Sequence, residues 1–325
     1  MKAWNTWERV LLGLLVLLIV VFGISQPGFL SPYAMADSTF NFSEKGVLAL
    51  ALALLIVTGE IDLSIAAILA LCSLAMGFAM RAGAGSAGMV AAAVATGAMA
   101  GFLNGWLVTR YRLPSIVVTI GTLSLYRGLA MVALGDQAMS GYPEAFSILG
   151  NGYLADLFGP AWLIVPIEFA ILLLCAGGVG VVLHRTVLGR RLYAIGANPV
   201  ASRFSGIEVD RYRLGLFVFS GLMAALAALM LTGRIGSTRP NIAMGWELDA
   251  ITMVILGGVA IEGGRGSIVG TMLAVLLLGL FTFAMGMANV SGIVMSMIVG
   301  VLLIVAMVLP RLRSSFAIFR SRAGT

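Results

Sequence analysis

The sequence predicts an all-α fold, a polytopic membrane helix bundle of about ten transmembrane helices. Three observations support this class. Hydrophobic residues make up 60% of the chain and charged residues only 10%, whereas soluble domains carry about 25% charged residues. The mean hydropathy is +1.06. Apolar runs recur along the whole chain, and most of them approach the roughly 20 residues that a helix needs to cross a bilayer.

The first apolar run, 10–25, follows Lys2 and Arg9. No small-residue cleavage site comes after it, so we interpret it as an uncleaved span and not as a signal peptide. The other nine runs lie at 46–58, 63–80, 86–108, 115–134, 162–183, 214–232, 249–261, 267–287 and 291–309. A longer polar stretch, 135–160, contains no Lys or Arg.

Two of these runs, 46–58 and 249–261, are short and end in Gly-rich turns that contain an acidic residue. This pattern indicates helices that break within the membrane. At the first break, Gly59 is expected to end one helix and Asp62 to cap the next. The second break has the same plan, which hints at an internal duplication.

The basic residues predict the orientation of the spans. With ten spans, 15 of the 20 Lys and Arg residues fall on the side of the N-terminus. Basic loops resist translocation, so both termini are predicted to lie in the cytoplasm. The transmembrane domain then covers 1–310, and 311–325 forms a basic cytoplasmic tail. We interpret the net charge of +6 as this orientation bias and not as a surface for nucleic acid.

The longest polar segment, 184–213, contains a predicted short helix. Asn198 suits the cap position, Pro199 suits the first helical position, and Gly206 suits a left-handed stop. A short, stiff, basic helix in a cytoplasmic loop is suited to docking on a soluble partner. The alternative is that the arginines of this loop only orient the neighbouring spans.

Polar residues inside the spans predict a path for a polar solute, because such groups are costly in lipid unless they are paired or face water. The residues that we expect to line this path are Asn104, Thr119, Thr122, Ser124 and Arg127. For the hydroxyl residues the alternative is a hydrogen bond to a carbonyl of their own helix. For Arg127 it is a side chain that reaches the outer membrane surface.

The repeat Gly97, Gly101 and Gly105 places small residues on one helix face and predicts a close helix contact. Several functions are excluded by missing motifs. The chain has no GxxxxGK[ST] sequence, and its lysines are Lys2 and Lys45 alone, so it cannot bind ATP through a P-loop. We predict no catalytic residue, metal site or cofactor. The alternative is an integral membrane enzyme acting through Glu60 and Asp62.

Three segments together resemble the permease subunit of bacterial ABC importers for monosaccharides, the group for ribose, xylose, rhamnose and autoinducer 2. They are GRRLYAIGANPVASRFSGI at 189–207, VTGEIDLSIAAILAL at 57–71, and GWELDAITMVILGG at 245–258 followed by EGGRGSIVGT at 262–271. The resemblance covers nearly the whole chain and is strongest to rhamnose permeases. The chain departs from the family at Glu60, where Gly is usual.

The resemblance implies that the loop at 184–213 couples the chain to a separate cytoplasmic ATPase, which binds the ATP. The residues that would act in coupling are Gly189, Arg190, Arg191, Asn198, Pro199, Arg203 and Gly206. It also implies a periplasmic sugar-binding protein, which would dock on Arg234 and Arg239. A second permease subunit, identical or paralogous, would complete the pathway.

The expected function is therefore that of a permease in the bacterial inner membrane that imports a neutral monosaccharide, rhamnose or a similar sugar, by alternating access. Membrane lipid surrounds such a subunit, and no nucleic-acid partner is expected. Two alternatives stay open: a branched-chain amino acid permease of the same superfamily, and the membrane enzyme named above.

Overall fold

The computed structural model of the chain describes residues 6–135, 137–160, 162–301 and 304, and each predicted apolar run contains a helix. The long helices are α1 (Thr6–Ser25), α5 (Ser86–Tyr111), α6 (Ser115–Leu134), α9 (Ile167–Arg185), α12 (Val209–Ile235) and α14 (Ile268–Met287). The shorter apolar helices are α3 (Ser43–Val57), α4 (Ile65–Arg81), α13 (Trp246–Leu256) and α15 (Gly292–Val301).

Short helices and one small sheet form the connections. The helices are α2 (Pro32–Ser38), α7 (Glu144–Asn151), α8 (Leu154–Phe158), α10 (Val187–Ala197) and α11 (Pro199–Phe204), and a 3₁₀ helix covers Thr39–Asn41. Strands β1 (Met139–Ser140) and β2 (Ser237–Thr238) pair antiparallel, with Met139 opposite Thr238. The polar stretch 135–160 therefore carries two helices that its sequence did not predict.

The predicted membrane helix bundle is confirmed, and the number of spans depends on the broken helices. Within the described residues, six helices are long and apolar enough to cross a membrane. The number is seven if the pair Pro32–Asn41 and Ser43–Val57, bent by 50°, counts as one span. Helices α4 and α13, with 17 and 11 residues, are shorter than the roughly 20 residues of a typical membrane crossing. Helix α15 is followed directly by residues outside the described part of the chain. Ten spans stay a prediction.

Helix α3 lies at the centre of the bundle. Every residue from Gly46 to Val57 is buried, and α3 packs against α9, α12, α13 and α14. A helix that is apolar on all sides is typical of a protein core or of a membrane span, and these contacts place α3 in the core. Because α3 breaks off at Val57, its last carbonyl groups must find partners inside the protein.

The predicted close contact at the Gly repeat is confirmed. A Cβ atom on Gly97 would lie 2.3 Å from the carbonyl oxygen of Gly221 in α12. On Gly101 it would lie 2.2 Å from the carbonyl oxygen of Phe217. Only glycine lets the backbones of α5 and α12 approach this closely, and such contacts hold helices together in lipid, where the hydrophobic effect does not.

The segments predicted to be cytoplasmic meet at one end of the bundle, which we name the α11 end. There the Trp7 indole Nε1–H of α1 donates to the Leu256 carbonyl of α13 at 2.7 Å. The backbone N–H of Ile268, at the start of α14, lies 3.2 Å from His184 Nε2 at the last turn of α9. The β1–β2 sheet lies at the opposite end, named the far end. Lys2 and the predicted tail 311–325 lie outside the described residues.

Candidate functional site

The predicted helix in the basic loop is present as α11. The Asn198 side-chain oxygen accepts hydrogen bonds from the backbone N–H groups of Val200 at 3.0 Å and Ala201 at 2.9 Å. Pro199 occupies the first turn, as predicted. The helix ends at Phe204, and Gly206 follows with a φ of +81°. The cap, the proline and the left-handed stop are confirmed as local structure.

Two of the predicted coupling arginines hold α10 and α11 against α12. Arg203 Nη2 lies 2.5 Å from Asp210 Oδ1. Arg191 donates to the hydroxyl of Tyr212, and its guanidinium lies 5.8 Å from the centre of that ring. The Arg190 side chain is exposed and has no protein partner among the described residues. Arg190 is therefore free to meet another molecule.

The most exposed features of α11 are apolar, and the sequence reasoning missed them. Phe204 is 90% exposed and Val200 is 62% exposed. They are four residues apart and so share one helix face. An exposed aromatic side chain on a short polar loop is typical of a docking surface, because its burial supplies binding free energy. The i, i+4 pair of apolar residues in a basic loop was the available signal.

Helix α10 rests on both breaks, and we name this contact the break junction: Val57, Gly59, Gly196, Gly263 and Gly264. The Gly264 N–H donates to the Val57 carbonyl at 2.8 Å and so joins the two breaks. A Cβ atom on Gly196 would lie 1.9 Å from the Val57 oxygen and 2.4 Å from the Gly264 nitrogen. Gly59, Gly263 and Gly264 have φ values of +82°, +85° and +74°, which favour glycine.

Another predicted coupling residue, Gly189, is also explained by packing. A Cβ atom at Gly189 would lie 1.9 Å from the carbonyl oxygen of Leu183 in α9. The Gly189 N–H donates to the side-chain oxygen of Thr186, which caps α10, at 3.3 Å. Gly189 thus permits the sharp turn between α9 and α10, and it does not belong to the exposed face.

The first break is fixed by a buried polar network. The Asp62 carboxylate accepts from the Ser64 N–H at 2.9 Å, the Ser64 hydroxyl at 2.6 Å and the Ser220 hydroxyl of α12 at 2.9 Å. Asn104 donates to the Ser64 hydroxyl oxygen at 2.7 Å. The expectation that Asp62 caps α4 was wrong: Ser64 holds the cap position, and the carboxylate bonds only as far as Ser64 in this turn. Its other oxygen is directed at α12 instead.

Glu60 has a partner on the helix that follows the coupling loop. Its carboxylate Oε1 lies 2.8 Å from Arg213 Nε, and the Glu60 side chain is 8% exposed. Glu60, where the resemblance led us to expect Gly, therefore carries a nearly buried ion pair. This pair ties the first break to the start of α12, close to α11.

The predicted path residues on α6 differ in burial. The Thr119 hydroxyl donates to the Ser115 carbonyl of its own helix at 2.8 Å, and the Thr122 hydroxyl to the Thr119 carbonyl at 3.4 Å. Both side chains are buried, as is Asn104 in the network above, whereas Ser124 is exposed. A role for these residues in the path stays a prediction.

Arg127 lies within the bundle and supports non-helical backbone. Its guanidinium donates to the carbonyls of Pro240 at 3.1 Å, Ile242 at 2.7 Å and Ala66 at 3.4 Å. Irregular backbone is tolerated inside a membrane protein only where such groups are satisfied. Arg127 thus holds the segment between β2 and α13 against the start of α4, and its role in a path or gate stays a prediction.

The two arginines predicted to dock a binding protein differ in their surroundings. Arg234 Nε lies 2.7 Å from Glu44 Oε1 and 3.9 Å from Glu168 Oε2, and both carboxylate side chains are fully buried. Arg239 is exposed in the loop after β2. Arg234 is partly exposed, at 24% of its side chain, but its guanidinium is paired within the protein. The docking role of both arginines stays a prediction.

Two cavities are large enough for a small molecule. One of about 890 Å³ lies between α9, α10 and α12 and has mostly apolar walls, among them Leu174, Val182 and Phe219. The other, of about 610 Å³, lies at the far end between α3, α13, α14 and α15, and we name it the far-end cavity. It contains the ion pair of Lys45 and Asp249, with 2.5 Å between Nζ and Oδ2.

A helical membrane bundle whose basic loop presents a short exposed helix is the architecture expected of a permease subunit. Residues 34–307 match the family described as "Branched-chain amino acid transport system / permease component", and the chain belongs to this family. It is a transport subunit, as predicted, and not a membrane enzyme.

The chain is similar to the Autoinducer 2 import system permease protein LsrD of Escherichia coli (strain K12), of Escherichia coli O157:H7 and of Shigella flexneri. Each is 35% identical over 308 residues, which cover 93% of this chain and 91% of the relative. No solved structure matches. The resemblance to permeases of this importer class is confirmed.

We expect Gly196→Ala to impair transport, because the added methyl group would overlap the Val57 carbonyl and push α10 off the break junction. Overpacking of this kind costs about 1–3 kcal/mol. ATP-driven uptake in vesicles and the thermal stability of the purified protein measure the effect. Gly215→Ala in α12 is the matched control, since a Cβ atom there meets nothing within 4 Å. Equal uptake by both variants would contradict a role of the break junction in transport.

Arg234→Gln should destabilise the protein, because two buried carboxyl groups would lose their cation. Removal of one partner from a buried ion pair costs about 3–5 kcal/mol. Arg239→Gln, which removes the same charge from an exposed position, should leave the melting temperature of the detergent-solubilised protein unchanged. Similar melting curves for the two variants would show that Arg234 is not an internal partner.

Proposed function

We propose that this chain is the transmembrane subunit of an ATP-driven importer for a neutral monosaccharide in the bacterial inner membrane. The observation that carries the proposal is the exposed α11, which is capped by Asn198, held to α12 by Arg203 and continuous with the α10 helix that rests on the break junction. The similar LsrD proteins are permeases of import systems. The chain has no catalytic role and needs no cofactor; a separate ATPase binds the ATP.

The proposed orientation places the α11 end in the cytoplasm. The basic residues at this end include those of the loop, Arg110 in the last turn of α5, Arg112 directly after α5, and Arg265 in the second break. Basic segments are retained on the cytoplasmic side. Both termini then lie in the cytoplasm. The far end, with the β1–β2 sheet and the exposed Arg239, faces the periplasm.

Docking of the ATPase would bury the exposed face of α11. Phe204 and Val200 would fill an apolar groove of the ATPase, and Arg190 would pair with an acidic residue at its rim. Movement of α11 would pass through α10 to Gly196, which contacts both breaks. If the breaks pack in two alternative arrangements, one would open the pathway to the periplasm and the other to the cytoplasm, which is alternating access.

The remaining partners lie at the other faces. A periplasmic binding protein would deliver the sugar to the far end, where Arg239 offers a positive charge to an acidic surface. A second permease subunit, identical or paralogous, would complete the pathway. These assignments rest on the family resemblance and on the exposure of the residues named.

We propose a neutral polyhydroxy compound as the substrate. The sequence resemblance favours rhamnose, and the name of the similar LsrD proteins favours autoinducer 2 as a second candidate. The description of the family favours branched-chain amino acids as the competing class. These compounds differ in charge, since an amino acid is zwitterionic and a sugar is not.

Uptake by the assembled importer tests the substrate class. The chain, co-purified with its ATPase and binding protein and placed in liposomes, should import radiolabelled L-rhamnose or autoinducer 2 only when ATP is present. Radiolabelled L-leucine should not enter. Uptake of leucine alone, or uptake of a sugar by the chain without the ATPase, would contradict the proposed function.

Phe204→Asp should abolish capture of the ATPase, because a carboxylate cannot enter an apolar groove without a large desolvation cost. Arg190→Glu should weaken capture through charge reversal. Phe158→Asp is the matched control, since Phe158 is 70% exposed but lies in α8, away from the coupling loop. Pull-down of the ATPase from detergent with each variant measures the effect, and membrane insertion should be unchanged. Full capture by Phe204→Asp would refute the docking site.

A further inference from the structure

We propose that the Lys45–Asp249 pair in the far-end cavity is a contact site for the hydroxyl groups of the transported sugar. This inference rests on the proposed function and deepens it by naming where the solute first meets the permease. The ion pair joins the first turn of α3 to the first turn of α13, and both side chains stay partly exposed, at 20% for Lys45 and 26% for Asp249.

The far-end cavity has the size and lining of a sugar site. Its volume of about 610 Å³ lies within the range of about 300–1,000 Å³ that is usual for small-molecule sites. Besides the ion pair, Asn41, Thr282 and Ser296 contribute an amide and two hydroxyl groups to its walls. The hydroxyls of Thr282 and Ser296 donate to carbonyls of their own helices, at 2.9 Å to Gly279 and 3.1 Å to Gly292, so they offer acceptors to a solute. The Asn41 amide and the ammonium group of Lys45 supply donors, and a monosaccharide needs both kinds of group.

The ion pair has unused hydrogen-bonding capacity that faces the cavity. Lys45 has three N–H donors, and one of them bonds to Asp249 Oδ2. Asp249 Oδ1 and the other two donors have no protein partner in the described part of the chain. A sugar hydroxyl can accept from Lys45 and donate to Asp249 at once, which makes two charge-assisted bonds without separating the pair.

The ammonium group is held in place before a solute arrives. Lys45 Nζ lies 5.1 Å from the centre of the Trp246 ring, within the range of a cation–π contact. Asp249 is one turn along the same helix from Trp246. Because both contacts come from α13, the charge is positioned without cost at the moment of binding.

The other large cavity does not suit a sugar. Its walls are mainly aliphatic and aromatic side chains from α9 and α12, such as Leu174 and Phe219. A monosaccharide placed there would leave most of its hydroxyl groups unpaired, and each unpaired group is costly in an apolar environment. The polar side chains of that cavity belong to the coupling loop and the start of α12, where Arg191 bonds to Tyr212 and Arg211 bonds to Glu208. The far-end cavity instead has polar side chains from α3, α13, α14 and α15 on its walls.

The two helices that carry the ion pair also end at the break junction. Helix α3 runs from Lys45 to Val57, whose carbonyl accepts from Gly264. Helix α13 carries Asp249 in its first turn and leads into the second break, which contains Gly264. A solute that bridges Lys45 and Asp249 therefore touches the outer ends of the two elements whose inner ends contact α10. Binding of a solute at this site would therefore act through α3 and α13 on the contact between the two breaks and α10.

Acylation of Lys45 tests the site without any transport. The chain has two lysines, Lys2 and Lys45, so a membrane-impermeant amine-reactive ester followed by peptide mass spectrometry reports on Lys45 directly. L-Rhamnose, D-ribose, D-xylose and autoinducer 2 are added to separate samples of the assembled importer. We expect at least one of them to suppress labelling of Lys45, and L-leucine to leave it unchanged.

A reversed ion pair separates a solute site from a structural link. Lys45→Asp combined with Asp249→Lys keeps the attraction between α3 and α13 but exchanges donor and acceptor. We expect it to raise the KM of the imported sugar about tenfold, as for loss of one hydrogen bond to a charged group. Arg81→Gln, at the exposed end of α4, is the control for a charge substitution at the far end outside the cavity, and it should leave the KM unchanged. A KM equal to that of the unmodified importer would show that the ion pair only links α3 to α13. That result would overturn the inference.

The outcomes separate this inference from the proposed function. If a sugar is imported and no sugar protects Lys45, the site is wrong and the function stands. If leucine is imported or protects Lys45, while no sugar is imported and no sugar protects Lys45, the proposed substrate class is wrong. The proposed sugar site is then wrong as well. If no solute is imported and none protects, both are refuted. Protection by an imported sugar supports both.

Discussion

The hydrogen bond from the Gly264 N–H to the Val57 carbonyl is the contact on which the rest of the structure depends. It satisfies a carbonyl group at the broken end of a helix that is buried on every side. In a membrane protein such a group has no water to bond, so an internal partner is required. The contact also brings the two breaks together, and Gly196 of α10 packs directly on it.

Polar groups in the bundle reinforce this arrangement from several sides. Asp62 links the first break to α12 through Ser220, and Glu60 links it to Arg213 near the coupling loop. Arg127 fixes the segment before α13 against the start of α4. Each interaction lies where the helices are interrupted. The uninterrupted helices α5 and α12 are held instead by the glycine contact of their backbones.

Features with a local cause could be predicted from the sequence. The cap and start of α11 follow from Asn198 and Pro199, and the α5–α12 contact follows from the glycine repeat. The short apolar runs indicated the breaks because length alone decides whether a helix crosses a bilayer. The membrane class followed from composition, and family membership from three segments read together.

Features that depend on distant residues could not be predicted. Arg234 pairs with Glu44, which is 190 positions away in the sequence. Lys45 pairs with Asp249, which is 204 positions away. No local pattern encodes such contacts. The exposed Phe204 could not be predicted from the arginines that dominate the sequence of this loop, because their pattern does not say which apolar side chain stays uncovered. Ten spans were counted from apolar runs, whereas broken helices divide a crossing into shorter pieces.

Hydrogen–deuterium exchange at the break junction tests the central claim most directly. The Gly264 amide should exchange slowly in the permease, because it is hydrogen-bonded inside the protein. When the ATPase is added with a non-hydrolysable ATP analogue, the exchange rate of peptides containing Gly264 should change, since α10 moves against both breaks. An exchange rate that is unaffected by the ATPase and the nucleotide would contradict a coupling route through the junction.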